Sequence, residues 1–244
     1  MNKIKKLCII PGRGGSKRFH GKNMALIGDR PLIYHTYTTV KDYFDKIIIS
    51  TDCEKIMNKL AMYPVNINKT SIIKRPDEFA TDESRVIDTV IYYFDKYGKD
   101  FDQIWLCLPT CPLRSKEDVE GAQDYLDNEK GIDGVVGVTD VEFPVSLSFR
   151  INDKKNLKTI NEIDKKNWLS NNSRSQDHVK TYRPNGAFYG MWCDDFKNNK
   201  NFFKGVIGAY YMPRKRSIDI DTDIDLIIAN AILKGENSIW NNSI

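Results

Sequence analysis

Two short passages, one near each end of the chain, hold the residue types that chemistry on a phosphate requires. Early on, the apolar run Leu7-Cys8-Ile9-Ile10-Pro11 breaks into Gly12-Arg13-Gly14-Gly15-Ser16-Lys17-Arg18, followed by Gly21-Lys22-Asn23. Gly12, Gly14 and Gly15 let backbone N–H groups approach a ligand, and Arg13, Lys17, Arg18 and Lys22 place four cations in ten residues, which suits a polyphosphate. A P-loop needs glycine directly before its lysine, whereas Ser16 stands there. A dinucleotide fingerprint needs a small residue where Lys17 stands. A nucleotide loop of another kind remains, beside the plainer reading of a basic solvated turn.

Late in the chain, Ser217-Ile218-Asp219-Ile220-Asp221 sets two carboxylates two residues apart. On an extended segment both lie on one face. Beside a basic glycine loop such a pair suits Mg²⁺ carrying a nucleotide triphosphate, since carboxylate and phosphate oxygens together complete its octahedron. The alternative is an acidic turn, Asp219, Asp221, Asp223 and Asp225, that complements a helix dipole; for Asp223 and Asp225 it is the preferred reading.

These passages need a scaffold, and the pattern supplies an α/β one: apolar runs alternate with helical segments, as in a largely parallel sheet with crossover helices. Strands are expected at Ile4–Ile10, Ile47–Ile49, within Val65–Ile73, at Ile104–Leu108, Gly134–Val141, Gly186–Met191 and Val206–Met212. The uniformly apolar Ile104-Trp105-Leu106-Cys107-Leu108 belongs at the sheet centre. Helices are expected after Pro31, over Glu54–Met62, through Val86–Phe94 behind capping residues in Thr81–Ser84, over Lys116–Leu126 and over Asp223–Leu233. Residues 143–182 turn polar and rich in Asn and Lys, an excursion used as a lid or association arm within a single domain spanning 1–244. Ligands of open α/β sheets bind beyond the carboxyl ends of the strands. Ser50, Thr51 and Asp52, then Thr110 and Arg114, fall at such ends.

Composition bounds the function. Net charge is +4, from 37 cations and 33 anions, a mixed surface that does not imply nucleic-acid binding. Five cysteines, an odd number with no Cys-x-x-Cys pair, argue against a disulfide framework or zinc site. No segment approaches the ~18 apolar residues a membrane span requires, and the start has no secretory apolar region, so a cytoplasmic protein is expected.

IIPGRGGSKR with GKN, ISTD, KRPDEFATDES, PTCPLRS, YRPNGAFY and SIDIDTDIDL occur in an order that resembles the bacterial CMP-sialic acid synthetases, the acylneuraminate cytidylyltransferases, over nearly the whole chain. The resemblance implies a Rossmann-like nucleotidyltransferase fold, a homodimer whose extended arm reaches the neighbouring site, and Mg²⁺-dependent formation of a CMP-sugar from CTP and a nine-carbon 2-keto acid. It assigns Arg13, Gly14, Gly15, Ser16, Lys17, Lys22 and Asn23 to the CTP phosphates, with Lys22 at the reacting α-phosphate. It assigns Arg75 and Ser84 to the cytosine and ribose, and Asp219 and Asp221 to the metal. Lys22, Arg13 and Asp221 are then the catalytic set, with Asp221 either a metal ligand or the acceptor of the hydroxyl proton. Leu108, Thr110, Arg174, Arg183 and Asn185 fall on the sugar side. Two departures concern that side: Leu108 stands where the family often carries a glutamine, and Arg174-Ser175-Gln176-Asp177 lacks one of the arm's paired arginines. A cytidylyltransferase for another keto sugar such as Kdo, or a silent nucleotide-binding protein, is the alternative.

Overall fold

The computed structural model describes residues 3–15, 19, 21–81, 83–154, 157–162 and 178–238. The chain opens with β1 (Lys6–Pro11), then β2 (Leu26–Ile27) and β3 (Arg30–Pro31), a short antiparallel ribbon. Next come α1 (Leu32–Val40), β4 (Lys46–Thr51), α2 (Glu54–Ala61), β5 (Thr70–Lys74), α3 (Val86–Tyr97), β6 (Gln103–Leu106), α4 (Lys116–Asn128) and β7 (Gly134–Asp140). A hairpin of β8 (Phe149–Lys154) and β9 (Leu157–Glu162) precedes β10 (Tyr182–Trp192), α5 (Cys193–Asn199), β11 (Ile207–Tyr211) and α6 (Asp223–Ser238).

Seven strands form one sheet in the order β11-β7-β10-β6-β1-β4-β5. β1 is buried at every position and pairs parallel with both β4 and β6, the environment that permits an unbroken apolar run. Its side chains alternate between two cores. Cys8 and Ile10 join Tyr37, Val40, Ile56 and Val119 from α1, α2 and α4, while Leu7 and Ile9 join Val90 and Tyr93 from α3 and Phe196 from α5. The sheet is therefore covered on both faces, which leaves the strand ends as its accessible margin.

Trp105 on central β6 is fully buried, and its Nε1 donates to Gln103 Oε1 at 3.0 Å. Gly190 on β10 packs flat on that indole: a Cβ there would lie 2.7–2.8 Å from three ring atoms. Gly190→Ala is expected to destabilise the fold by about 1–3 kcal/mol through overpacking, read as a lower midpoint in urea with an unchanged slope.

The expected capping of α3 is corrected, and two features had no sequence expectation. β10 runs antiparallel to β6, because an apolar run carries no mark of its direction. The start of α3 uses Asp88, whose Oδ2 accepts the Arg85 amide at 3.2 Å, while the Thr81 and Ser84 hydroxyls bond each other at 2.7 Å. Helix α5 has only Cys193 and Phe196 buried, too sparse an apolar pattern to announce it.

By contacts the chain forms two compact units, residues 1–138 with 185–244, and Thr139–Pro184. The smaller unit holds the β8–β9 hairpin, paired from Phe149 with Glu162 to Lys154 with Leu157. It exposes Phe143, Val145, Phe149, Ile151 and Val179, and Ser146 Oγ meets His178 Nδ1 at 2.8 Å.

Candidate active site

The glycine loop leaves the end of β1 under tight steric control. Gly12 N donates to Ser50 O at 2.8 Å, and a Cβ on Gly12 would come within 2.4 Å of Ile33 Cδ1. Gly14 N donates to Asp52 Oδ1 at 2.7 Å, and a Cβ there would meet Cys53 Cβ at 2.5 Å. Gly14 is held to glycine by close approach rather than by an unusual dihedral, whereas at Gly12 the facing atom is the end of the Ile33 side chain. Buried Asn23 pins the loop by donating from Nδ2 to Arg13 O at 2.7 Å. Arg13 then reaches outward, with Nε donating to Gly15 O and Nη1 to Thr81 O at 2.8 Å. The loop is thereby tied to the segment that carries Ser84.

The acidic segment meets it from the far end of the chain. Ile220 is fully buried among Ile27, Leu32 and Ala229, and its amide donates to Thr110 O at 2.7 Å. Fixing Ile220 inward turns Asp219 and Asp221, on either side of it, toward the cavity. Lys22 Nζ lies 2.9 Å from Asp221 Oδ1. Just beyond, Asp225 Oδ2 accepts the Asp221 and Thr222 amides at 3.0 and 2.8 Å and the Thr222 hydroxyl at 2.8 Å. Burial opposes ionisation of Asp225, but these bonds outweigh it and hold the carboxyl below the usual range. Asp223 and Asp225 lie in the first turn of α6, where negative charge suits the dipole.

A cavity of about 420 Å³ at the strand ends is lined by Arg13, Lys22, Asn23, Arg75, Ser84, Leu108, Thr110, Asp219 and Asp221. Arg75 is almost wholly buried, with Nη2 donating to Ser50 O at 3.1 Å and Nε to Ser50 Oγ at 3.3 Å. Burial lowers its guanidinium pKa, with Asp52 opposing. Gly186, at φ 75°, brings Leu108 and Asp219 together: its Cβ position is 3.4 Å from Leu108 Cδ1 and 3.9 Å from Asp219 Oδ1. Tyr189 packs against the core with Phe202 and does not line the cavity, yet burial and then the Asp219 charge push its hydroxyl up to about 12.

Among the described residues no group of three or more His, Cys, Asp or Glu side chains converges as a metal cluster. Two carboxylates directed at one cavity, beside cations suited to phosphate, nevertheless form a donor set that fits a hard cation completed by phosphate oxygens and water.

Other sequence candidates fall elsewhere. Gly14 and Gly15 continue the loop without lining the cavity. Asn185 is fully buried: Nδ2 donates to Ser217 Oγ at 2.9 Å and to Met212 Sδ at 3.2 Å, and Oδ1 accepts the Ala187 amide at 3.0 Å. Through these bonds Asn185 braces the acidic segment from behind, next to Ser217. Arg114 is also buried and away from the cavity lining. Arg183 belongs to the Thr139–Pro184 unit, where its Nη1 donates to Pro184 O at 3.3 Å. Ser16, Lys17, Arg18 and Arg174 lie outside the described residues. A tether that sequence reading missed is Asp118 with Arg216, paired through two bonds of 2.8 and 2.9 Å, which anchors the chain just before Ser217.

The family model described as cytidylyltransferase matches residues 7–231. The chain is 28% identical to a pseudaminic acid cytidylyltransferase of Campylobacter jejuni, over 95% of this chain and 97% of that one. It is 29% identical to a CMP-N,N'-diacetyllegionaminic acid synthase of Legionella pneumophila, over 93% and 96%. It is 30% identical to an N-acylneuraminate cytidylyltransferase of Streptococcus agalactiae over 92% of this chain and 52% of that protein, so it spans about half that relative's length. A solved structure of CMP:2-keto-3-deoxy-manno-octonic acid synthetase complexed with CTP shares the fold at a TM-score of 0.66 and 14% identity, covering 95% of this chain and 99% of that one.

Proposed function

The chain belongs to the cytidylyltransferase family, and from that premise we propose that it transfers CMP from CTP to the anomeric hydroxyl of a nine-carbon 2-keto sugar acid, releasing pyrophosphate. The acceptor is a nonulosonic acid of the sialic, pseudaminic or legionaminic kind, the substrate class named for its relatives in C. jejuni, L. pneumophila and S. agalactiae. The observation that carries the reading is the meeting of Lys22 and Asp221, 2.9 Å apart, in a cavity that also holds Arg13, Asn23, Arg75, Ser84 and Asp219.

In this reading the sugar hydroxyl attacks the α-phosphate in line, and the protein's contribution is positioning and charge. Lys22 and Arg13, with Lys17 of the same loop, stabilise charge that builds on the phosphoryl oxygens. Arg75 and Ser84 take the nucleoside end. Asp219 and Asp221 hold Mg²⁺, which when bound supplies further charge neutralisation at the phosphates. Arg174 and Arg183 serve the sugar acid, Leu108 and Thr110 shape its end of the cavity, and Asn185 supports that end from behind.

Pyrophosphate release, measured with all four nucleoside triphosphates against a panel of nonulosonic acids and Kdo, tests the reading. CTP with a nonulosonic acid is the expected productive pair; equal use of the four nucleotides, or a preference for Kdo, would overturn it. Leu108→Gln is expected to lower the KM for N-acetylneuraminic acid by about three- to tenfold, the worth of one net hydrogen bond, with the KM for CTP unchanged.

The protein is further proposed to act as a cytoplasmic homodimer. The exposed apolar side chains of the Thr139–Pro184 unit support an association surface, and no described helix is long and apolar enough to cross a membrane. Light scattering at micromolar concentration tests the dimer.

A further inference from the structure

Arg114 is 3% exposed, and its guanidinium meets no carboxylate among the described residues. Nε donates to Cys111 O at 2.9 Å. Nη2 donates to Leu108 O, to Cys111 O at 2.7 Å and to Thr36 Oγ1 at 3.3 Å, while Nη1 is buried without a hydrogen-bond partner. A buried charge lacking a counter-charge is costly to keep, so what it holds in place needs explaining. Here it gathers backbone carbonyls. The planar fork of arginine can serve two carbonyls at once, which the point charge of lysine cannot match.

Those carbonyls belong to the turn that shapes the cavity. With Leu108 O and Cys111 O drawn to the guanidinium, Thr110 O between them accepts the amide of Ile220 at 2.7 Å. Ile220 stands between Asp219 and Asp221, so one chain of contacts runs from Arg114 through the turn to both carboxylates. The same turn presents Leu108 to the cavity.

We propose that Arg114 is a positioning residue for phosphoryl transfer: it fixes the Leu108–Cys111 turn and, through the Thr110–Ile220 hydrogen bond, sets the two aspartates for their cation without touching the nucleotide. The proposal rests on the function argued above only for what the aspartates hold. Arg114→Lys and Arg114→Met test it through two binding measurements beside turnover: CTP affinity in EDTA by calorimetry, and Mn²⁺ affinity of the CTP complex by electron paramagnetic resonance. CTP binding without metal is expected to stay within about twofold, whereas Mn²⁺ affinity falls by ~10-fold or more in both variants, the scale of losing a group that orients metal ligands. Unchanged Mn²⁺ affinity in a folded variant would overturn the proposal. So would a parallel loss of both affinities, or failure of both variants to fold, since Arg114 would then be a general folding determinant. If the unaltered protein binds Mn²⁺ and CTP and shows the variant effects but makes no CMP-sugar from any nonulosonic acid, the proposed function fails and the positioning role stands.

Discussion

Asp221→Asn is expected to lower turnover by ~10²-fold or more while leaving the folded state intact. That loss corresponds to about 2.7 kcal/mol at 1.36 kcal/mol per decade, the scale of removing one preorganised electrostatic group from a transition state. The amide preserves shape but not charge, so the cavity keeps one carboxylate of its two and Lys22 loses its partner at 2.9 Å. Stability should change little, because that pair retains solvent contact and ion pairs of this kind contribute modestly. Initial rates of pyrophosphate release at saturating CTP, alongside a thermal melt, decide the matter. Near-normal turnover in a folded variant would remove Asp221 from the catalytic set.

Lys22→Met should be comparably severe, ~10²- to 10³-fold in kcat/KM, with most of the loss in kcat. A group that meets the phosphate most strongly as charge builds contributes to the transition state rather than to ground-state binding. Lys22→Arg is expected to recover only part of the rate, since a planar fork does not reproduce a compact ammonium. Combining Lys22→Met with Asp221→Asn should cost less than the product of the single losses, because residues that act as a unit are not additive. A strictly multiplicative double variant would show that the two side chains act separately, whatever their contact in the folded protein.

Much of the scaffold and the charged heart of the cavity was legible in the residues alone. β1, β4 and β6 announced themselves because strands covered on both faces need unbroken apolar runs. Lys22 and Arg13 stood out through the density of charge beside glycine, and Asp219 and Asp221 through two carboxylates spaced by one apolar residue. What escaped was whatever burial decides. Arg114 is a cation whose type predicts exposure, yet it lies among carbonyls, and no spacing announced that Asn185 is buried against Ser217, Met212 and Ala187. Strand direction escaped as well: β10 has the same period whether it runs with β6 or against it.

The contact between Lys22 and Asp221 also bears on when the protein becomes active. It joins residues 199 positions apart, and such a distant closure forms only once the intervening chain can fold behind it. A nascent polypeptide emerging from the ribosome carries Lys22 and the glycine loop well before Asp221, which follows 199 positions later. Under the roles proposed for Lys22 and Asp221, competence for turnover arises in one step, and chains that stop short of Asp221 present the glycine loop without the means to consume nucleotide.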